Sequence, residues 1–170
     1  MMGIVRCVSG VALLAIAAVV AAASPAGQSA PPVPFPDGYR SWQVVKSMIV
    51  GPDHRTFARR GGMHHYYANP KAIEGYRSGT FPNGSVIVVE ALWTKEGEGD
   101  AKGLVLEGNR RFLEVMVKDD RLYGETSGWG FERYEADETA GRLTMTERSQ
   151  CHQCHAKRKD RDLVFTSLKP

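Results

Sequence analysis

The sequence predicts an α+β domain: a small antiparallel β-sheet with an N-terminal helix, a short crossover helix and a C-terminal helix that carries the chain's one strong chemical motif. Three observations point there. Ser85 to Thr94, Arg111 to Lys118 and Gly128 to Tyr134 are dense in β-branched and aromatic residues and are parted by turn signals. Apolar residues at helical spacing lie ahead of them, and a polar helical stretch lies behind. The 170 residues, 42% of them apolar, suffice for one globular core and not for several. Glycine and proline, 18 and 9 residues, are scattered without a period, which excludes collagen-like and solenoid chains. Three cysteines are too few for a disulfide-stapled scaffold.

The chain opens with one charge, Arg6, before the unbroken apolar run Val11 to Ala23, and small residues crowd Ala21-Ala22-Ala23-Ser24. That order reads as a cleaved secretory signal over residues 1–23, which assigns the protein to the periplasm or another exported location. The run is shorter than the ~20 apolar residues of a spanning helix, and an uncleaved anchor is the alternative. Cleavage removes Arg6 and Cys7, lowering the net charge from +3 to +2 and leaving Cys151 and Cys154. So small a surplus gives no footprint for nucleic acid, and Arg59-Arg60 and Lys157-Arg158-Lys159 read as solvated surface.

Residues 24–36 (SPAGQSAPPVPFP) form a Pro- and Ala-rich extended linker, and the folded domain spans 37–170. Tyr39, Trp42, Val45, Met48 and Ile49 fall at helical spacing behind Asp37, so Asp37 to Val50 is expected to be an amphipathic helix. Gly51 to Gly62 reads as a polar loop and Met63 to Ala68 as a strand. Asn69-Pro70 supplies a cap and first-turn proline for a helix that ends at Gly79. Phe81-Pro82-Asn83-Gly84 is a turn into the strand Ser85 to Thr94, and Glu96 to Gly103 is an acidic loop. Arg111 to Lys118 and Gly128 to Tyr134 are strands. A helix is expected from about Thr146, and the tail Asp162 to Leu168 packs back on the domain.

Residues 151–155 read Cys-His-Gln-Cys-His and contain C-x-x-C-H, the signature of covalent haem attachment. Two thiols three residues apart on a helical turn point the same way, so Cys151 and Cys154 can each join one vinyl group of the same porphyrin. His155 then lies beneath the ring and offers a nitrogen to the iron as its metal ligand. The cofactor so implied is one haem c. A zinc site would need a second ligand pair, and no other cysteine survives processing. A redox dithiol would be expected behind a strand in a βαβ unit, and this pair follows a polar stretch near the C-terminus.

The sequence also resembles the cytochrome P-460 / cytochrome c′-beta superfamily. The likeness is carried by Tyr39-Arg40-x-Trp42, Tyr67-Ala68-Asn69-Pro70, Gly79-x-Phe81-x-Asn83-Gly84-x-Val86 and Val117-Lys118-Asp119. It continues in Gly128-Trp129-Gly130-Phe131, Cys151-x-x-Cys154-His155 and Asp162-x-Val164-Phe165. The resemblance implies a mostly β, usually dimeric exported protein with one c-type haem, histidine on one axial side and room for small ligands on the other. In the P-460 enzymes a lysine is cross-linked to the porphyrin and the haem oxidises hydroxylamine; the c′-beta members lack the cross-link and bind nitric oxide and similar gases. The lysine position matches Val89 here, which cannot form that bond. The reading is therefore a five-coordinate haem that binds nitric oxide or a related small ligand, with a homodimer and a periplasmic redox partner as expected companions. Nitrogen-compound oxidation of the P-460 type and six-coordinate electron transfer are the alternatives.

The resemblance makes the Ile87, Val89 and Ala91 face an apolar wall of the haem pocket. Glu114 matches an acidic residue that assists proton transfer in the enzymes, and alternation groups it with Phe112 and Met116; it is a candidate proton relay or a solvent-facing carboxylate. His64 matches a basic residue near the distal side and is a candidate hydrogen-bond donor or a structural histidine. Trp129 and Phe131 share a strand face and either pack on the porphyrin or fill the core. Met48, Met63, Met116 and Met145 are read as core filler, with a sixth iron ligand as the alternative. If the motif carries the cofactor, replacing Cys151 and Cys154 together abolishes covalent haem, scored by peroxidase staining of a denaturing gel. A stained band from the double mutant contradicts the assignment.

Overall fold

The computed structural model describes residues 30–168, so the expected secretory signal and the first part of the expected linker lie outside the described residues. Five strands form one antiparallel sheet in the order of the chain: β1 (Gln43–Val50), β2 (Gly62–Ala68), β3 (Val86–Glu96), β4 (Val105–Lys118) and β5 (Trp129–Glu135). Three helices accompany it: the single turn α1 (Phe57–Arg60), α2 (Pro70–Ser78) and α3 (Met145–His155). Among the described residues no helix is long and apolar enough to cross a membrane.

The α+β class stands, with one element corrected. Asp37 to Val50 is not a helix: a 3-10 turn at Tyr39–Ser41 is followed by β1, which pairs antiparallel with β2. The physical reason is a β-bulge. The register slips between Val44 and Lys46, so Val45 turns inward out of strict alternation, and the apolar residues fall at intervals that imitate a helix. The β-branched Val44, Val45, Ile49 and Val50 suit the pleated strand that pairs with β2. The helix expected to cross over, α2, joins two adjacent antiparallel strands and so makes no parallel crossover.

The local signals around α2 act as expected. Asn69 accepts a hydrogen bond from Ala72 N at 2.9 Å, Pro70 opens the helix, and Gly79 ends it at φ 85° with its N–H on the Gly75 carbonyl. Gly62 has φ +117°, and a Cβ there would meet the Leu92 carbonyl oxygen at 2.2 Å. Only glycine lets β2 approach β3 at that point.

The sheet is covered on both faces. On one, α2 and the C-terminal tail close over Val45, Ala68, Ile73, Phe81, Ile87, Trp129 and Phe131, with Leu163 and Val164 from the tail. On the other, Val33 and Tyr39 pack over Tyr67, Val88, Leu113, Val115 and Tyr134. The Pro-rich segment is thus extended but not free: Tyr134 Oη donates to the Val33 carbonyl at 2.6 Å, and Phe35 meets the Tyr134 ring edge to face. Beneath this cover lies Glu90, almost wholly buried, accepting from Tyr39 Oη at 2.6 Å, Tyr67 Oη at 3.2 Å and the Arg40 guanidinium. Burial works against its ionisation, but Arg40 and the two tyrosine hydroxyls more than offset that and hold the carboxyl below its usual range.

Glu90→Gln is expected to cost about 2 kcal/mol in urea unfolding at neutral pH, the scale of hydrogen bonds to a charged group. Because the folded-state pKa is lowered, the wild-type advantage is full above the ordinary carboxylate range. It shrinks as pH falls through the folded-state value.

Candidate functional site

The motif sits on α3, whose start is set locally. Thr144 caps it and Glu147 answers: Thr144 N donates to Glu147 Oε2 at 2.7 Å and Glu147 N to Thr144 Oγ1 at 3.3 Å, a reciprocal box one turn ahead of Cys151. None of its residues is fully buried, so apolar burial alone cannot seat the helix. A polar tie does so. Glu132 on β5, 1% exposed, accepts from Arg148 Nη2 at 2.5 Å and from Leu143 N at 2.8 Å, joining both the helix and its approach to the sheet edge.

His155 is the last residue of α3. Its Nδ1 donates to the Leu163 carbonyl at 2.8 Å, which fixes the tautomer and leaves Nε2 with a free lone pair. Nε2 makes no hydrogen bond among the described residues. Burial pulls the imidazole below its ordinary pKa and keeps it neutral, the form that ligates a metal. The ring is held between Phe131, at 5.2 Å between centroids, and Phe165, at 4.9 Å.

The carbonyl reaches back because the chain reverses through two left-handed residues, Asp162 at φ 46° and Leu163 at φ 66°. That conformation costs roughly 1–2 kcal/mol for each non-glycine residue. The Asp162 carboxylate anchors it, accepting from Phe81 N at 2.9 Å and from Lys118 Nζ and Trp129 Nε1, both at 3.2 Å.

Beside α3 opens a cavity of about 600 Å³. Cys151, Cys154 and His155 line its helix side; Ile87, Val89, Met116 and Phe131 line its sheet side; Arg59, Arg60 and Arg111 stand at the α1 end. Register explains the sheet wall, since Val89 lies opposite Glu114 and Ile87 opposite Met116, which lies opposite Phe131. Glu114 also lines the cavity, one third exposed, and its oxygens accept from Arg60 Nη1 at 2.6 and 2.7 Å and from Arg133 Nη1 at 2.9 Å. Both guanidiniums lie over the Phe112 ring, Arg133 at 3.8 Å and Arg60 at 5.5 Å from its centroid.

The cavity therefore gathers Val89, Glu114, Phe131, Cys151, Cys154 and His155. Two candidates stay outside its lining. Trp129 is wholly buried in the core against Phe81, and its indole N–H is committed to Asp162. His64 is wholly buried beneath the wall: its Nε2 donates to the Arg60 carbonyl at 2.7 Å, Nδ1 has no partner, and burial lowers its pKa. Of the four methionines only Met116 lines the cavity. Arg60, Arg111 and Arg133 escape sequence reasoning, since Arg60 meets Glu114 across 54 residues of chain.

The donor set suits a covalently held haem: two unbridged thiols and one neutral imidazole share a cavity with an apolar wall. It suits the alternatives poorly. Among the described residues no three His, Cys, Asp or Glu side chains cluster to hold an ion. Burial pushes the Cys151 thiol up, and it sits away from the helix N-terminus that activates redox dithiols.

A protein-family model described as Cytochrome P460 matches residues 36–166, nearly all of the described chain. No curated relative matches. If Glu132 seats the helix, Glu132→Ala leaves Arg148 without its buried partner and costs about 3 kcal/mol in urea unfolding. Limited proteolysis then cuts first within residues 137–150, and an unchanged digestion pattern contradicts that role.

Proposed function

The chain belongs to the cytochrome P460 family, and we propose that it is an exported monohaem c-type cytochrome that binds nitric oxide or a related small ligand. In this reading Cys151 and Cys154 would hold the haem covalently and His155 would ligate its iron, which would remain five-coordinate and free to take the small ligand. Family membership makes it a haem-binding cytochrome; attachment, coordination, export and ligand are the parts proposed. The observation that carries attachment and coordination is the cavity itself, where both thiols and the imidazole with its free Nε2 lie on one side and the apolar Val89 wall on another, with no lysine in the lining; export rests on the charged and apolar N-terminal sequence.

Bound haem would supply an iron able to take a diatomic ligand. The protein's residues supply the rest. The Leu163 carbonyl aims and polarises His155 through its Nδ1 proton. Val89, Ile87 and Phe131 give the sheet side an apolar stretch, which suits a small apolar ligand. Glu114 is held in place by two arginines through charge-assisted hydrogen bonds. Its place in the lining still favours nitrogen-compound oxidation as the second reading, with Glu114 as proton relay. A homodimer and a periplasmic redox partner complete the proposal.

Protein matured with haem in a competent host tests it. The reduced form is expected to be high-spin, to change its absorption on adding nitric oxide, and to show no turnover of hydroxylamine. A low-spin spectrum indifferent to nitric oxide contradicts an open axial side and points to Met116 or another sixth ligand. Steady hydroxylamine oxidation favours the enzyme.

A further inference from the structure

Three arginines stand at the α1 end of the cavity, and only Arg60 is spent on a carboxylate there. The Arg59 side chain makes no hydrogen bond or ion pair among the described residues, although the residue lines the cavity. Arg111 has a more telling origin. Ala91 pairs with Phe112 and Leu92 with Arg110, so Arg111 is the extra residue of a β-bulge in β4, the device by which a strand re-aims a side chain. Its guanidinium lies over the Trp93 ring, 4.4 Å from the centroid, and donates to the carbonyls of Ala58 at 2.6 Å and Gly61 at 2.8 Å. It is thus rigidly held at the cavity by neutral acceptors, its positive charge unmatched by any carboxylate among the described residues.

A bulge that turns a pinned, unneutralised guanidinium into a pocket, beside a second free one, calls for an anionic ligand group. The cofactor of the reading above brings such groups. A porphyrin tethered by its vinyl groups to Cys151 and Cys154 presents its two propionate carboxylates on the opposite edge of the ring. The thiols lie on the α3 side and the arginines at the α1 end, where the exposed Arg59 keeps the site in contact with water.

Resting on the haem reading, we propose that Arg111 and Arg59 form the seat of the haem propionates. Arg111 is the fixed member, presenting its remaining N–H groups from a position set by α1. Arg59 is the adaptable member at the solvent edge. Together they fix the rotation of the ring within the cavity, and their positive charges raise the reduction potential by disfavouring the ferric state.

The test uses holoprotein carrying covalent haem and compares Arg59→Gln, Arg111→Gln, the double variant and Lys102→Gln, which makes the same charge change on the β3–β4 loop outside the cavity lining. The expected result is a shifted propionate bending band in resonance Raman spectra of both arginine variants, with a potential that falls in each and furthest in the double variant. Lys102→Gln leaves the band in place. A propionate band unmoved in Arg59→Gln and Arg111→Gln overturns the inference, as does a potential no lower than that of Lys102→Gln. If Arg111→Gln fails to mature because the Ala58 and Gly61 carbonyls lose their donor, Arg59→Gln decides alone, since nothing in the fold depends on its side chain. Wild-type protein without covalent haem, scored by peroxidase staining of a denaturing gel, defeats the underlying reading instead.

Discussion

The site depends on one hydrogen bond, from His155 Nδ1 to the Leu163 carbonyl. Phe131 and Phe165 confine the ring but leave open which nitrogen carries the proton, and this hydrogen bond decides that, so that Nε2 is the one left to ligate. Holding that carbonyl requires two consecutive left-handed residues, an unfavourable stretch of backbone that persists because its surroundings over-determine it. Asp162 is where they converge: α2's following turn, β4 and β5 all donate to its carboxylate. Buried core and candidate ligand are therefore mechanically connected, and Trp129 contributes to the site through Asp162 without lining the cavity.

The second constraint is sheet alternation. Residues directly opposite one another in an antiparallel ladder share a face, so β3, β4 and β5 together set Val89, Glu114 and Arg133 in one row and Ile87, Met116 and Phe131 in the next. The first row mixes an apolar residue with an ion pair, and the second is apolar throughout. One wall thus offers both a dry surface and a polar cluster. The bulge at Arg111 interrupts this pattern at the α1 end, which is why a third arginine can join a face that alternation alone would deny it.

Much of this was legible in the sequence because it is written in local chemistry. Asn69-Pro70 and Gly79 mark α2 at both ends, the β-branched run from Val86 marks β3, and C-x-x-C-H names the candidate ligands without reference to the rest of the fold. Alternation correctly groups Val89 with Ile87 and Glu114 with Met116. What escaped is non-local. The bulge in β1 disguises a strand as a helix, since periodicity is blind to a register slip. The early start of β4 at Val105 is hidden because Val105, Leu106 and Glu107 pair with the far end of β3 and none of the three is buried, so no apolar face reveals them. Arg59-Arg60 reads as solvated surface until α1 is set beside Glu114, and the buried role of Val33 is invisible in a proline-rich stretch.

The central claim is that His155, aimed by the Leu163 carbonyl, ligates the haem iron. Resonance Raman spectroscopy of the ferrous holoprotein tests it most directly through the low-frequency iron–imidazole stretching band. The account predicts that band in the wild type, its loss in His155→Gly, and its return when free imidazole is added to the variant. A band that persists unchanged in His155→Gly without imidazole would show that another residue holds the iron.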